Sequence, residues 1–199
     1  MPRALTEQEK CTQCQRLLEK GKSAVLAHGI HKVSVEEIAK AAGMAKGSFY
    51  QHFKSKEEFL FELIEKIHRD AFEQAQEILI QGISEGGDLK ESARSLLKAL
   101  FAMPEMIFFI KNEHDVSTVL EQAVDSGLEA HKFVETELLQ AMLLLAGIDT
   151  DVVKPGVVHN YVHALFLMMG SDLVTKEDLP ETVDLITESL ISYIFGGMP

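Results

Sequence analysis

The sequence predicts an all-α fold. Helix-start signals recur, strand signals are nearly missing, and the apolar content is high enough to bury a core. Thr6-Glu7-Gln8-Glu9, Ser34-Val35-Glu36-Glu37 and Ser55-Lys56-Glu57-Glu58 are capping-box patterns. In each, the hydroxyl takes an orphan amide and the Glu three residues on reaches back. Long runs of period two and Asn-Gly hairpin turns do not occur. Hydrophobic residues make up 46% of the 199 positions, which excludes wholesale disorder.

The first helix is expected from Glu7 to His28, with Leu17, Leu18, Val25 and Leu26 inward and Gly29 ending it. A second follows from Val35 to Ala42, with Val35, Ile38 and Ala39 inward, and Gly43 permits a sharp turn. A short third helix covers about 45–51. A long fourth begins at Lys56, carries Phe59, Leu60, Leu63, Ile64 and Ile67, and runs to about Gln81. Gly82, Gly86 and Gly87 then mark a loop. Further helices are expected near 88–103, 104–111, 115–146 with a break near Gly127, 151–170 and 180–195. Pro104 and Pro180 suit first-turn positions, where a missing amide does no harm, and Pro155 sits early in its helix.

Charge is distributed unevenly. The whole chain carries −12, yet residues 1–56 hold ten basic and five acidic residues, a net +5 that leaves −17 for the remainder. A basic head on an acidic body points to a polyanion met by the head alone, against the plainer alternative of a chance fluctuation in surface charge. No apolar run approaches the roughly 18 residues of a spanning helix, and Leu138 to Ile148 is broken by Gln140. The N-terminal stretch has no apolar signal core, and two cysteines cannot build a disulfide framework. The reading is a soluble cytoplasmic protein with no membrane partner.

The segment Ser34 to Phe53, SVEEIAKAAGMAKGSFYQHF, reads as a helix, a glycine turn and a second short helix. Ile38, Ala39, Met44 and Phe49 can close a small core, with Ala39 small where two helices cross. This is the architecture of a helix-turn-helix, whose second helix enters the major groove with its N-terminal residues foremost. Lys46 and the free amides of the first turn would face phosphate. Gly47 and Ser48 allow close approach, and Tyr50, Gln51 and His52 add polar heads for phosphate or base edges. The alternative is an ordinary helical hairpin with a polar surface.

IAKAAGMAKGSFYQHFKSKEEFL resembles the signature of the TetR/AcrR family of transcriptional regulators. The likeness covers about Leu17 to Leu63. It rests on Ile38-Ala39, Ala42-Gly43, Lys46-Gly47, Phe49-Tyr50 and Phe53-Lys54-Ser55-Lys56-Glu57. The resemblance implies a homodimer that binds a palindromic operator on double-stranded DNA, represses, and lets go when a small molecule enters the C-terminal domain. It implies a DNA-binding domain over 1–55, a connecting helix of about 56–81, and a regulatory and dimerisation domain over 56–199. Carried onto this chain, Ser34 caps the second helix and meets phosphate. Lys46, Gly47, Ser48 and Gln51 face bases or backbone, and Tyr50, His52 and Lys56 contact phosphate. Phe49 and Phe53 are core. Ala45 stands at the start of the DNA-facing helix, where many members carry Ser, Thr or Pro; an Ala cap forfeits roughly 1 kcal/mol.

The resemblance makes the last two helices a dimerisation pair. Val158, Val162, Leu165 and Met169 form one stripe; Val183, Ile186, Leu190 and Ile194 form the other. Two helices per chain would build a four-helix interface, unless both stripes merely fill the monomer core. Met103, Met106 and Phe109 of FAMPEMIFFI, with Met142, His163 and Phe166, can line a cavity for an apolar or amphipathic effector, or can be plain core. His159 and His163 have the i,i+4 spacing of metal ligands, and Glu113, His114, Asp115 and His131 are candidates to join them. They read first as pocket or interface groups, with no metal and no cofactor expected. Cys11 and Cys14 read as two free thiols in preference to a redox pair. The competing class is a helical-bundle metal-binding protein or enzyme. A di-iron bundle needs two Glu-x-x-His motifs, and the chain has one, Glu65 to His68. A serine-nucleophile elbow, a P-loop and a Rossmann glycine pattern are missing, so no catalytic residues are assigned.

Overall fold

The computed structural model describes residues 6–122 and 127–196, the side chains of 127–134 excepted. Every regular element among them is an α-helix: α1 (Glu7–His28), α2 (Val35–Ala41), α3 (Lys46–Phe49), α4 (Lys56–Ser84), α5 (Leu89–Ala102), α6 (Pro104–Lys111), α7 (Glu113–Gln122), α8 (Gly127–Leu145), α9 (Pro155–Gly170) and α10 (Leu179–Gly196). They fall into two compact units. One comprises Met1–Ile67 with His114–Leu128, the other His68–Glu113 with Glu129–Pro199.

Capping chemistry sets the starts of the early helices. Thr6 Oγ1 accepts the Glu9 amide at 3.2 Å while the Glu9 carboxylate takes the Thr6 amide at 2.8 Å. Ser34 and Glu37 repeat the exchange at 3.2 and 2.7 Å. The third pattern departs from the expected form. Ser55 Oγ accepts the Glu58 amide at 3.1 Å, but Glu58 reaches one residue further back, to the Lys54 amide. Proline opens α6 and α9.

In the first unit, Leu17, Ile38, Ala42, Phe49 and Phe59 have no exposed surface. The rings of Phe49, Phe53 and Phe59 stand 5.2–5.5 Å apart and close the centre. Gly21 lies against this cluster: a Cβ there would collide with the Phe59 ring and press on Ile38. Helix α7 adds buried Val116, Val119 and Leu120. Its Asp115 meets the His31 ring at 3.0 Å, and Lys66 meets Glu19 at 3.0 Å.

In the second unit, Leu97, Leu143, Val153, Val158, Leu190 and Ile191 form the core, with Val162 and Ile194 packed against it. The Arg94 guanidinium grips Glu188 through two bonds of 2.5 and 2.9 Å, tying α5 to α10. Gly170 passes so close to the Ile110 carbonyl that a Cβ would collide with it, which lets α9 approach α6. The Lys154 amide donates to Tyr193 Oη at 3.0 Å, and Tyr161 Oη meets Ser189 Oγ at 3.3 Å. These pairs run in opposite directions along the chain, so α9 and α10 are antiparallel.

The expected dimer stripes change meaning here. Leu165 and Leu190 are 0% exposed and Val158 is 5% exposed within a single chain, so their burial needs no second copy. They are monomer core. Val162, Met169 and Ile186 are half-buried. The large apolar residues left facing out on the pair are Leu167, at 52%, and Leu185, at 66%.

Candidate nucleic-acid interface

The turn between α2 and α3 aims the short helix. The Gly43 amide bonds to Lys40 O at 2.9 Å and the Met44 amide to Ala39 O at 2.8 Å, which closes the end of α2. Gly43 takes φ +69°, where L side chains are strained, and the Arg16 guanidinium fills the space beside it. Ala45 caps α3 with extended backbone but no side-chain bond. The helix is four residues long, shorter than expected. Beyond Phe49 the chain tightens into i→i+3 bonds, Gln51 to Ser48 at 3.2 Å and His52 to Phe49 at 2.9 Å. Tyr50, Gln51 and His52 therefore stand on a terminal turn.

Phe49 and Phe53 point inward and fix this segment from behind. Ala45, Lys46, Gly47, Tyr50 and Gln51 are left exposed, and Ser48 is half-buried. Nothing stands within 4 Å of a Cβ built on Gly47, so the fold itself does not demand glycine there. Tyr50 keeps 51% of its surface exposed while its ring lies edge-on to Phe49 at 5.4 Å.

Three of the expected phosphate contacts have partners inside the head. The Ser34 hydroxyl donates to Glu37 at 2.8 Å as well as accepting its amide. The bond from the Ser34 amide, then that from its hydroxyl, holds the Glu37 carboxyl below its ordinary range. His52 Nε2 lies 3.1 Å from Gln13 Oε1, and burial, followed by Lys10, pushes its pKa down. It is thus a neutral hydrogen-bonding group near pH 7. Lys56 Nζ donates to the His31 carbonyl at 3.2 Å, which pins the α1–α2 loop and leaves two ammonium protons for another acceptor. An exposed strip of lysine, glycine, hydroxyl and amide groups on a rigid aromatic base can meet a phosphate backbone and base edges together.

Comparison with known proteins decides between this and an ordinary hairpin. The family described as "Bacterial regulatory proteins, tetR family" matches residues 17–63, the segment just described. The chain is a transcriptional regulator of the TetR/AcrR family. This regulator is 24% identical over 149 residues to the fatty acid metabolism regulator protein of Bacillus subtilis, covering 74% of this chain and 72% of that one. It is 26% identical over 201 residues to the "Probable acrEF/envCD operon repressor" of Escherichia coli K12, covering 90% and 87%. A crystal structure of a TetR-family transcriptional regulator from Pectobacterium atrosepticum shares the fold, with TM-score 0.65, 19% identity and 98% of each chain covered. Among the described residues, no helix of the regulator is long and apolar enough to cross a membrane.

The residues expected to line a cavity all lie in the second unit. Met106 and Phe109 are buried; Met103, Met142 and Phe166 are half-buried. The Phe166 ring meets Phe101 at 4.9 Å and His163 at 6.4 Å, and Phe109 meets His68 at 4.9 Å. The i,i+4 histidines meet a group that sequence reading missed. Glu135 Oε2 is 2.8 Å from His159 Nε2 and 3.2 Å from His163 Nε2. Of the expected helpers, Asp115 pairs with His31 in the other unit, and the His131 side chain lies outside the described residues. The cysteines are free, and burial, then Glu62 and Cys11, raises the Cys14 pKa, which makes it a poor nucleophile.

Proposed function

We propose that the regulator is a homodimeric repressor that binds a palindromic operator and is released by a small apolar or amphipathic molecule. The carrying observation is the exposed strip from Ala45 to Gln51 on the Phe49–Phe53–Phe59 base, within the segment that the family matches. Lys46, Tyr50, Lys56 and Ser34 supply phosphate contacts and Gln51 reads a base edge. A two-fold dimer presents two heads to successive major grooves, about 34–36 Å apart or a small multiple of it. The dimer face centres on Leu167 and Leu185, with Met169 and Ile186 at its margin. The effector enters the second unit, among Met103, Met106, Phe109, Met142, His163 and Phe166. Compounds with a long acyl chain are the first to test, because the likeness to the fatty acid metabolism regulator extends well beyond the head. The effector must bind the DNA-incompetent state more tightly, and a tenfold loss of operator affinity needs about 1.4 kcal/mol of difference.

The test begins by selecting bound DNA from a random pool. A palindromic consensus whose affinity falls steeply with salt is expected. Operator titration then follows with each ligand that raises the melting temperature. Selected sequences without two-fold symmetry would overturn the dimeric operator. Stabilising ligands that all leave operator affinity unchanged would overturn the release mechanism.

A further inference from the structure

The second unit gathers three imidazoles on one buried carboxylate. Glu135 of α8 is 6% exposed. Its Oε2 takes His159 and His163 of α9 at 2.8 and 3.2 Å, and its Oε1 stands 3.8 Å from His68 Nε2 of α4. Each histidine presents Nε2. The ligand atoms of Glu135, His159 and His163 all lie within 4.8 Å of one another. The two α9 rings are nearly parallel, with centroids 4.2 Å apart, as adjacent turns of one helix face allow. Phe109 covers His68 at 4.9 Å and gives the group an apolar wall. His163 is 47% exposed at the side chain and supplies the way in, while His68 and His159 are 18% and 14% exposed.

We propose that His68, Glu135, His159 and His163 form a binding site for a divalent first-row transition metal, with Zn²⁺ the best match. Three neutral imidazoles and one carboxylate are a four-ligand set of borderline softness, suited to zinc, cobalt, nickel or copper rather than to calcium or magnesium. A tetrahedral ion with ligands at about 2.0–2.1 Å holds its donor atoms roughly 3.3–3.4 Å apart. Oε2 stands 2.8 and 3.2 Å from His159 and His163, a few tenths of an ångström inside that value, and His68 faces the other oxygen at 3.8 Å, so a turn of the carboxylate with rotamer adjustments completes the shell. A carboxylate buried to this extent needs compensation, and one histidine would serve. Three Nε2 atoms are aimed at it from two helices, α4 and α9, and with the carboxylate they make up the donor set that coordination requires. The −17 charge of residues 57–199 favours a cation there. The proposal does not depend on the effector, because the metal alone is the probe.

The experiment uses the metal-stripped full-length chain without a histidine tag. Competition against a chromophoric chelator is expected to give one Zn²⁺ per chain with a Kd below about 1 μM, as closed four-ligand zinc sites reach. Added Co²⁺ should give the intense visible bands of a tetrahedral ion. Glu135→Gln and His159→Ala should each weaken Zn²⁺ by at least about 100-fold, beyond the 10–100-fold typical of outer-shell partners. His114→Ala, a histidine of the other unit, should leave binding unchanged. Absence of stoichiometric Zn²⁺ at micromolar concentration overturns the site. So does an octahedral Co²⁺ spectrum, which remains decisive should a variant fail to fold. Equal Zn²⁺ affinity in wild type and a folded Glu135→Gln variant overturns it too.

Discussion

Gly21 and Phe59 share one space: the ring of Phe59, fully buried, occupies the position a side chain on Gly21 would need. Helix α1 can approach α4 this closely because residue 21 has no Cβ. Gly21→Ala gains about 1 kcal/mol of helix propensity but overpacks the head by roughly 1–3 kcal/mol. Net destabilisation is expected, read as a lower urea midpoint. Phe59→Leu in the same chain should recover part of the loss, since the two positions are coupled. A Gly21→Ala protein as stable as wild type would refute the close contact.

Gly47 is the converse case. With nothing near its missing Cβ, Gly47→Ala should leave the melting temperature unchanged or slightly raised. Operator affinity should nevertheless fall, because the methyl group separates the backbone from DNA. If stability and affinity both hold, Gly47 does not face DNA.

Lys56→Ala should weaken binding to all sequences alike and lower the salt slope by about one unit. Gln51→Ala should change which base is preferred at one position of each half-site. Titration of a panel of operators at several salt concentrations separates the two outcomes, and a uniform loss for both would move Gln51 away from the base edge.

Glutamate at Leu167 and Leu185 together should give folded monomers by sedimentation equilibrium, with operator binding lost. Leu165→Glu should behave differently. It places an unpaired charge at a site with no exposed surface and should unfold the chain. Dimers that survive the Leu167 and Leu185 changes would place the interface elsewhere.

Stability should fall with acid in two stages. His52 has its pKa pushed below 6.5 by burial and Lys10, so the unfolded chain takes up a proton first. That contribution is present above about pH 6.5 and is lost as pH drops through the lowered folded value. Glu188, held down by Arg94, and Glu37, held down by Ser34, act in the same sense from 4.5 downward. Urea unfolding from pH 7.5 to 3.5 should show both stages. Glu188→Gln should flatten the lower stage and spare the upper one.

The boundaries of α1 and α2 and the starts of α6 and α9 were legible in the sequence because the signals that set them span only a few residues, whereas α3 is shorter than expected and α4 runs through Gly82 to Ser84 instead of ending at Gln81. Thr6 with Glu9, Ser34 with Glu37, Gly29, Gly43 and the opening prolines act on their own turn of backbone, wherever the helix later packs. The recognition segment was legible for a related reason. Its residues are contiguous, so one strip of chain carries both the inward Phe49 and Phe53 and the outward Lys46, Tyr50 and Gln51. The His159–His163 pair was visible through helical periodicity, but Glu135 lies 24 residues before His159, with no local mark to single it out. Only packing brings α4, α8 and α9 to that carboxylate. Packing also turned Leu165 and Leu190 into monomer core and left Leu167 and Leu185 outside, although both sets are leucines on the same two helices. Apolar periodicity says that a helix has a buried face; which neighbour buries it depends on contacts between residues far apart in the chain, and these exist only once the helices are assembled.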